Sequence, residues 1–408
     1  MADLVVELYD TRIGTVIGTW RNFDFIADQS AVAEFGIDST ILSAAIPLAA
    51  IATRPRKDRR QNFFRELLPE GRILTRMAAE ADLLERDVVG LLRRYGRDIA
   101  GALQIWDPDR PGEPKSPALE PLTDQGVAHL LTDTHHHPLG NKPVSGKSSL
   151  AGVQDKIVLA RTADGWNQVI DGYPSTHILK PESRDHPTVI YDEEYGSRFA
   201  RALGLAEFRT EIQEFAAVPA LVIERYDRTP DAGRIHQEDF NQVLGAGGDQ
   251  KYQKLGGRVS AARIAGVLSS IGDRAGMAQL LRMTTLAVAI GNLDMHAKNI
   301  SLLHHRDGSM SLAPAYDVVP QAHQPIDGEM ALAIDREYRH RAITRAHLLA
   351  EAREWGLDWA AEIVDETLAV VLEVASAERP DPRAYPGLVA DITRFATNLV
   401  EGRGAGEE

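Results

Sequence analysis

The chain contains no cysteine among its 408 residues, so disulfides and thiolate-bound zinc are excluded. That absence fits a reducing cytoplasm. Long apolar runs are also missing. The longest mostly apolar stretch, Leu42 to Ala52, is far short of a membrane span and contains Pro47. The opening Met1-Ala2-Asp3-Leu4-Val5-Val6 lacks the basic flank and apolar core of a signal peptide, so a cytoplasmic protein with no membrane contact is expected. Basic residues are in deficit: 45 Lys and Arg face 59 Asp and Glu, for a formal net charge of −14. A chain that grips nucleic acid unaided carries a basic footprint, so DNA or RNA is not expected as its primary ligand. A local basic patch or a basic partner protein is the remaining route to DNA. No internal repeat is present.

What is present reads as a soluble α+β protein of two or three packed units, with 44% hydrophobic and 25% charged residues. Residues 4 to 24 hold two β-rich runs around a turn near Asp10-Thr11-Arg12, the pattern of a hairpin. Residues 60 to 105 carry apolar residues at helical spacing. The Pro-rich, polar stretch from Asp107 to Pro121 suggests a linker. The expected organisation is an N-terminal domain (1–110), a linker (111–145), a mixed α/β lobe (146–230), a mainly helical lobe (231–400) and a disordered tail (401–408).

The strongest chemical signal is Gly291-Asn292-Leu293-Asp294-Met295-His296-Ala297-Lys298-Asn299. An Asp followed five positions later by an Asn is the spacing of a kinase catalytic loop. Phosphoryl transfer needs an acceptor for the substrate hydroxyl proton and hard oxygen ligands for Mg²⁺, and Asp294 with Asn299 supplies both. The apolar run Leu281 to Ile290 predicts a helix that anchors this loop. Downstream, Asp307-Gly308 between alternating runs predicts a hairpin. Its return strand places Asp317 beside Asn299, a second oxygen ligand for Mg²⁺.

The upstream half supplies matching parts. Ser175 to Lys180 reads as a strand ending in a lysine able to neutralise ATP phosphates. The helix expected over Tyr191 to Leu203 carries Glu193 and Glu194, either of which could pair with Lys180. Leu221 to Arg228 reads as a buried strand running into charge, with backbone groups for adenine and a carboxylate for ribose. Ser148-Ser149-Leu150-Ala151-Gly152 is a small-residue turn whose N–H groups could cover phosphates.

Two other motifs are set aside. Gly140-Asn141-Lys142-Pro143-Val144-Ser145-Gly146-Lys147-Ser148 has five residues between its glycines where a Walker A loop has four, and a strand follows instead of a helix. His135-His136-His137 lies in a polar stretch without a spaced carboxylate partner and reads as a solvated loop.

Taken together, these residues resemble the HipA family of bacterial toxin kinases over nearly the whole chain. Ser149 to Lys156 is similar to the family's phosphate loop and its autophosphorylated serine. Ile178-Leu179-Lys180 resembles its ATP-binding strand, and Glu224-Arg225-Tyr226-Asp227-Arg228 its adenine hinge. His236-Gln237-Glu238-Asp239-Phe240 is a family signature with no derivable chemistry. Asp294 to Asn299 and Tyr316-Asp317 resemble the catalytic and metal motifs, and the N-terminal strands with Asn62 to Gly71 the family's small domain. The resemblance implies a protein-kinase-like two-lobed fold with an added N-terminal domain. It implies Asp294 as catalytic base and Asn299 and Asp317 as Mg²⁺ ligands. ATP would contact Ala151, Gly152, Val153, Gln154, Asp155, Lys156, Lys180, Glu224, Arg225, Tyr226, Asp227, His296, Asn299, Tyr316 and Asp317. Ser149, or less favoured its neighbour Ser148, would be the autophosphorylation site. The family more often shows Asn-Glu where this chain has Glu193-Glu194, which favours Glu194 as the partner of Lys180. The hinge has Tyr226 where Phe is common.

The implied activity is phosphorylation of a protein serine or threonine, with an aminoacyl-tRNA synthetase such as glutamyl-tRNA synthetase as substrate, halting translation and promoting dormancy. The implied partner is a HipB-like helix-turn-helix antitoxin, through which the complex would reach operator DNA. Competing readings are a small-molecule phosphotransferase on the same scaffold and a catalytically silent corepressor.

Overall fold

A computed structural model describes residues 3–49, 56–113, 115–142, 145–152, 154–231 and 233–408. Val153 of the expected phosphate loop lies outside them.

The N-terminal domain is built on a four-stranded antiparallel sheet. Its strands run in the order Asn22–Ala27, Thr11–Thr19, Leu4–Leu8 and Leu103–Trp106. The expected hairpin is present, with Tyr9 (φ 52°) and Asp10 (φ 63°) both left-handed in its turn. Helices Lys57–Arg65, Gly71–Glu80 and Val88–Tyr95 occupy most of the stretch expected to be helical. Its last residues instead form the strand Leu103–Trp106, which returns to pair with Leu4–Leu8. A four-residue strand is too short for periodicity to separate from a helix end. Phe63, Phe64, Leu67 and Tyr95 fill the core between helices and sheet.

The expected linker is structured. Residues 118–121 form an edge strand of the next sheet and Asp124–Thr132 a helix, N-capped by the Thr123 side chain accepting from the Gly126 N–H. Val127, Leu130 and Leu131 bury against Ile157, Leu159, Trp166 and Phe215. The six-stranded antiparallel sheet runs Ala118–Pro121, Gly165–Ile170, Ile157–Thr162, His177–Pro181, Val218–Glu224, Thr210–Phe215. Pro121 is tolerated because it ends an edge strand. The helix Val189–Ala202 packs beside this sheet and reaches the second lobe.

That lobe is helical around Arg274–Ile290, whose residues from Leu286 to Ile290 are all buried. Helices Ala261–Ser270, Arg345–Glu354, Ala360–Ala377 and Leu388–Val400 surround it. The tail expected to be disordered folds back. The Ala405 N–H donates to the Ile343 carbonyl at 2.8 Å, and the Asn398 amide donates to the Ala405 and Glu407 carbonyls. A small, polar composition hides this ordering because it depends on one buried Asn from the preceding helix. The whole is a two-lobed, protein-kinase-like arrangement with an added N-terminal domain. Among the described residues, no helix is long and apolar enough to cross a membrane.

Candidate active site

The central helix Arg274–Ile290 ends at Gly291, which adopts φ 71° as a left-handed cap. A Cβ there would come within 2.7 Å of Ala322, so the position also needs glycine for space. The loop that follows is locked by its own polar groups. The Asn292 side chain accepts from the Asp294 N–H at 3.3 Å, and the Asn299 amide donates to the Asp294 carbonyl at 2.9 Å. Asp294 is thus held at the cleft with its side chain 45% exposed, open to a substrate hydroxyl. The Tyr252 hydroxyl donates to its Oδ1 at 3.0 Å. Burial and the nearby Asp317 push the Asp294 carboxyl up to about 6, still ionised at neutral pH and well matched to a general base. His296, held neutral chiefly by burial, lies with Nε2 3.9 Å from Asp294 Oδ2.

The expected hairpin forms from Ser301–His304 and Met310–Leu312, with Leu302 opposite Leu312. It delivers Tyr316, whose hydroxyl donates to the Lys298 carbonyl at 2.8 Å, and then Asp317 at φ 56°. Asp317 Oδ1 lies 2.6 Å from Lys180 Nζ. Burial would raise the Asp317 carboxyl, but Lys180 outweighs it and holds it at about 2. Asn299 spends its amide nitrogen on Asp294 and keeps its oxygen for a cation. With the ionised Asp317, it makes a hard-oxygen pair that fits Mg²⁺.

Lys180 corrects one expectation. Its Nζ is held by both carboxylate oxygens of Glu193, at 2.7 and 2.9 Å. Glu194 turns away and pairs with Arg198 at 2.7 Å. Successive helical residues point about 100° apart, so only one of the two can face the lysine strand. Lys180 is thereby clamped between Glu193 and Asp317, which keep it charged despite burial.

Ser149 is fully buried; its N–H donates to the Asp98 carbonyl at 2.9 Å and its hydroxyl to the Leu67 carbonyl at 3.1 Å. Ser148 bonds the Asp98 carboxylate. Beyond it, Leu150, Ala151, Gly152 and Gln154 line the cleft. Lys156 Nζ donates to the Ala151 carbonyl at 2.9 Å, and Gly152 at φ 114° leaves room for that ammonium, which a Cβ would approach to 2.5 Å. Burial, then Lys180, push Lys156 down to about 8.

The structure separates the two carboxylates of the hinge. The Asp227 carboxylate is not available to ribose. It is locked by Arg225 at 2.7 Å and Arg228 at 3.0 Å and accepts from the Gly101 N–H at 2.7 Å. Arg225 and Arg228 also donate to the Ile99 carbonyl, so these hinge side chains bind the N-terminal domain. Glu224 is the exposed hinge carboxylate at the strand end, accepting only a long bond from the Arg209 N–H at 3.3 Å among the described residues. Tyr226 stacks between Phe208 and Tyr316 beside the cleft.

A single cleft of about 1100 Å³ gathers every described residue expected to contact ATP, together with Asp294. It does not include Glu194, Ser148 or Ser149. Sequence reasoning missed Glu66, Glu70, Lys251 and Tyr252, and saw no role for Lys298. Lys298 Nζ lies 2.6 Å from Glu66 and 3.1 Å from Glu70, and Lys251 Nζ lies 2.8 Å from Glu70. The only available signal was a lysine inside the catalytic loop. His236–Asp239 proves to be a docking strand. Glu238 accepts from the Ser43 hydroxyl and Ala44 N–H, each at 2.7 Å, and contacts His304 at 2.8 Å. Lys147 of the rejected Walker-like stretch is buried, 3.6 Å from Glu113, and away from the cleft.

Comparison with known proteins accords with this geometry. Residues 148–375 match the HipA-like C-terminal domain and residues 4–106 the HipA N-terminal domain. Y4mE of Sinorhizobium fredii is 33% identical over 315 residues, covering 72% of each chain. The serine/threonine-protein kinase toxin HipA of Shewanella oneidensis is 27% identical over 367 residues, covering 85% of this chain and 82% of that protein. The solved complex of Shewanella oneidensis HipA, HipB and operator DNA contains a chain that superposes with a TM-score of 0.78. The identity is 24%, and the overlap covers 98% of this chain and 96% of the other. With both domains matched in order along one chain, the protein belongs to the HipA family.

Proposed function

We propose that the chain is a serine/threonine protein kinase that transfers the γ-phosphoryl group of ATP to a protein hydroxyl. The observation that carries this reading is the convergence of Asp294, Asn299 and Asp317 with the Lys180–Glu193 pair on one cleft. Asp294 accepts the hydroxyl proton, while Lys180 offers positive charge to the phosphates of ATP. Asn299 and Asp317 would hold Mg²⁺, which when bound neutralises phosphate charge. Adenine would enter beside Tyr226, with Glu224 toward the ribose.

The substrate we infer is an aminoacyl-tRNA synthetase, in keeping with a toxin that halts translation. The partner we infer is a HipB-like antitoxin that brings the pair to operator DNA; the matching solved complex contains both. Such a partner also reconciles an acidic kinase with DNA. Ser149 is our candidate for autophosphorylation. Its buried hydroxyl has no room for a phosphate, so modification would require the loop to leave its seat beside Leu67 and Asp98. Loss of the loop that covers the nucleotide would switch the enzyme off.

The test is intact-mass and phosphopeptide analysis after incubation with Mg-ATP, for wild type and Asp294→Asn. A phosphoryl group on Ser149 in wild type alone supports both the kinase and the loop assignment. No transfer in an unmodified sample that binds ATP would overturn the reading.

A further inference from the structure

Outside the nucleotide cleft, the helix Asp124–Thr132 and the turn after it assemble a cluster that the phosphoryl-transfer chemistry does not use. His129 lies in the last turn of the helix and Asp133 is its C-cap residue. His137 comes one turn later, its N–H donating to the Asp133 carbonyl at 3.1 Å. His129 and Asp133, four residues apart, fall on one side of the helix end, and the turn that follows brings His137 to them. One ligand atom from each of the three lies within 4.8 Å of the others. The rings of His129 and His137 meet edge to face at 5.6 Å. His137 Nδ1 is buried and has no hydrogen-bond partner among the described residues, an arrangement that carries a desolvation penalty unless something binds there. His136 Nδ1 lies 2.7 Å from Asp133 Oδ1, a contact of the kind that outer partners make to metal-ligating carboxylates. The carboxylate that the histidine run seemed to lack is thus Asp133, and a further imidazole arrives from the helix.

We propose that His129, Asp133 and His137 form a site for a divalent ion of the zinc class. Two imidazoles and one carboxylate are a zinc donor set, with water completing the tetrahedron. Imidazole nitrogen favours such an ion over Mg²⁺, so this site and the oxygen-lined cleft select different metals. The bound ion staples the end of the helix to the segment leading to Asn141. Asn141 in turn clamps Ser148, accepting from its N–H at 2.9 Å and donating to its carbonyl at 2.8 Å. Thr132 and Thr134 of the stapled segment line the cleft. The proposal does not depend on the kinase reading.

The experiment is titration of Zn²⁺ into the tag-free full-length protein against a chromophoric chelator, repeated with Co²⁺ to read its absorption. One ion per chain is expected, with affinity falling at least about tenfold in both His129→Ala and His137→Ala. His305→Ala, on the distant hairpin, serves as control and should bind like wild type. Matching melting curves in chelator show that the variants fold. No stoichiometric binding by wild type would overturn the proposal. So would His129→Ala binding as tightly as wild type, since the ion would then be held by the histidine run alone.

Discussion

Lys298, inside the catalytic loop, is buried against Glu66 of the N-terminal domain, with Nζ 2.6 Å from the carboxylate. Glu70 joins from 3.1 Å and also holds Lys251, whose neighbour Tyr252 hydrogen-bonds Asp294, the proposed base. The N-terminal domain is therefore tied directly into the loop that carries the proposed base. Removing one member of a buried ion pair strands the other charge, at a cost of about 3–5 kcal/mol. Lys298→Met should lower the urea midpoint accordingly. Glu70→Gln is milder, because Glu66 still pairs with Lys298; it should fold yet lose phosphoryl-transfer rate while keeping ATP affinity.

Asp294→Asn should reduce transfer by about 10²–10⁴-fold, measured with radiolabelled ATP, without weakening nucleotide binding. The acid limb of the rate profile should fall near the carboxyl's raised value of about 6, with activity rising as pH increases through it. Stability moves the opposite way. A carboxyl raised on folding favours the native state most below its unfolded value, and that contribution is lost as pH rises through about 6. Asp294→Asn should consequently melt slightly higher than wild type at neutral pH, by no more than about 1 kcal/mol because solvent reaches the side chain.

Glu193 and Glu194 make opposite predictions. Glu193→Gln leaves Lys180 with Asp317 as its one carboxylate partner among the described residues and should cut turnover at least about tenfold with a weaker ATP Kd. Glu194→Gln disturbs the partly exposed pair with Arg198 and should leave turnover near wild type. Equal loss in both would overturn the assignment of Glu193.

Asp227 supplies an acid-stability test. Burial would raise its carboxyl, but Arg225 and Arg228 hold it far below the usual range. Its contribution is present above the unfolded value and lost as pH falls below about 4. Asp227→Asn should flatten the acid side of the stability profile in urea titrations at stepped pH. Glu224→Ala should weaken ATP binding, read as a raised Kd.

The elements of the candidate site were legible because they are local. Asp294 and Asn299 sit on one loop, and Asp307-Gly308 sets the hairpin that carries Asp317 back beside it. The errors occurred where a long-range partner decided the outcome. Residues 118–132 read as linker, since the apolar face of a nine-residue helix means little until Ile157, Trp166 and Phe215 exist to cover it. The tail read as disordered, since its order depends on Asn398 and Ile343. The hinge segment left Glu224 and Asp227 undistinguished as its carboxylate for ribose, since only the fold turns Asp227 with its two arginines toward Ile99 and Gly101.

By itself the sequence determined the class of chemistry, because residue type and short spacing settle which groups share a loop. It also supplied the residues we propose as base, phosphate-binding lysine and metal ligands, namely Asp294, Lys180, Asn299 and Asp317. Only the tertiary structure decided between Glu193 and Glu194, because helix rotation against the sheet selects one side chain and excludes its neighbour. Only the tertiary structure joined Glu66 to Lys298 and Glu238 to Ser43 across the domain boundary. Burying charge is tolerable where an opposite charge waits, and which charges meet is a property of packed surfaces and not of neighbouring letters.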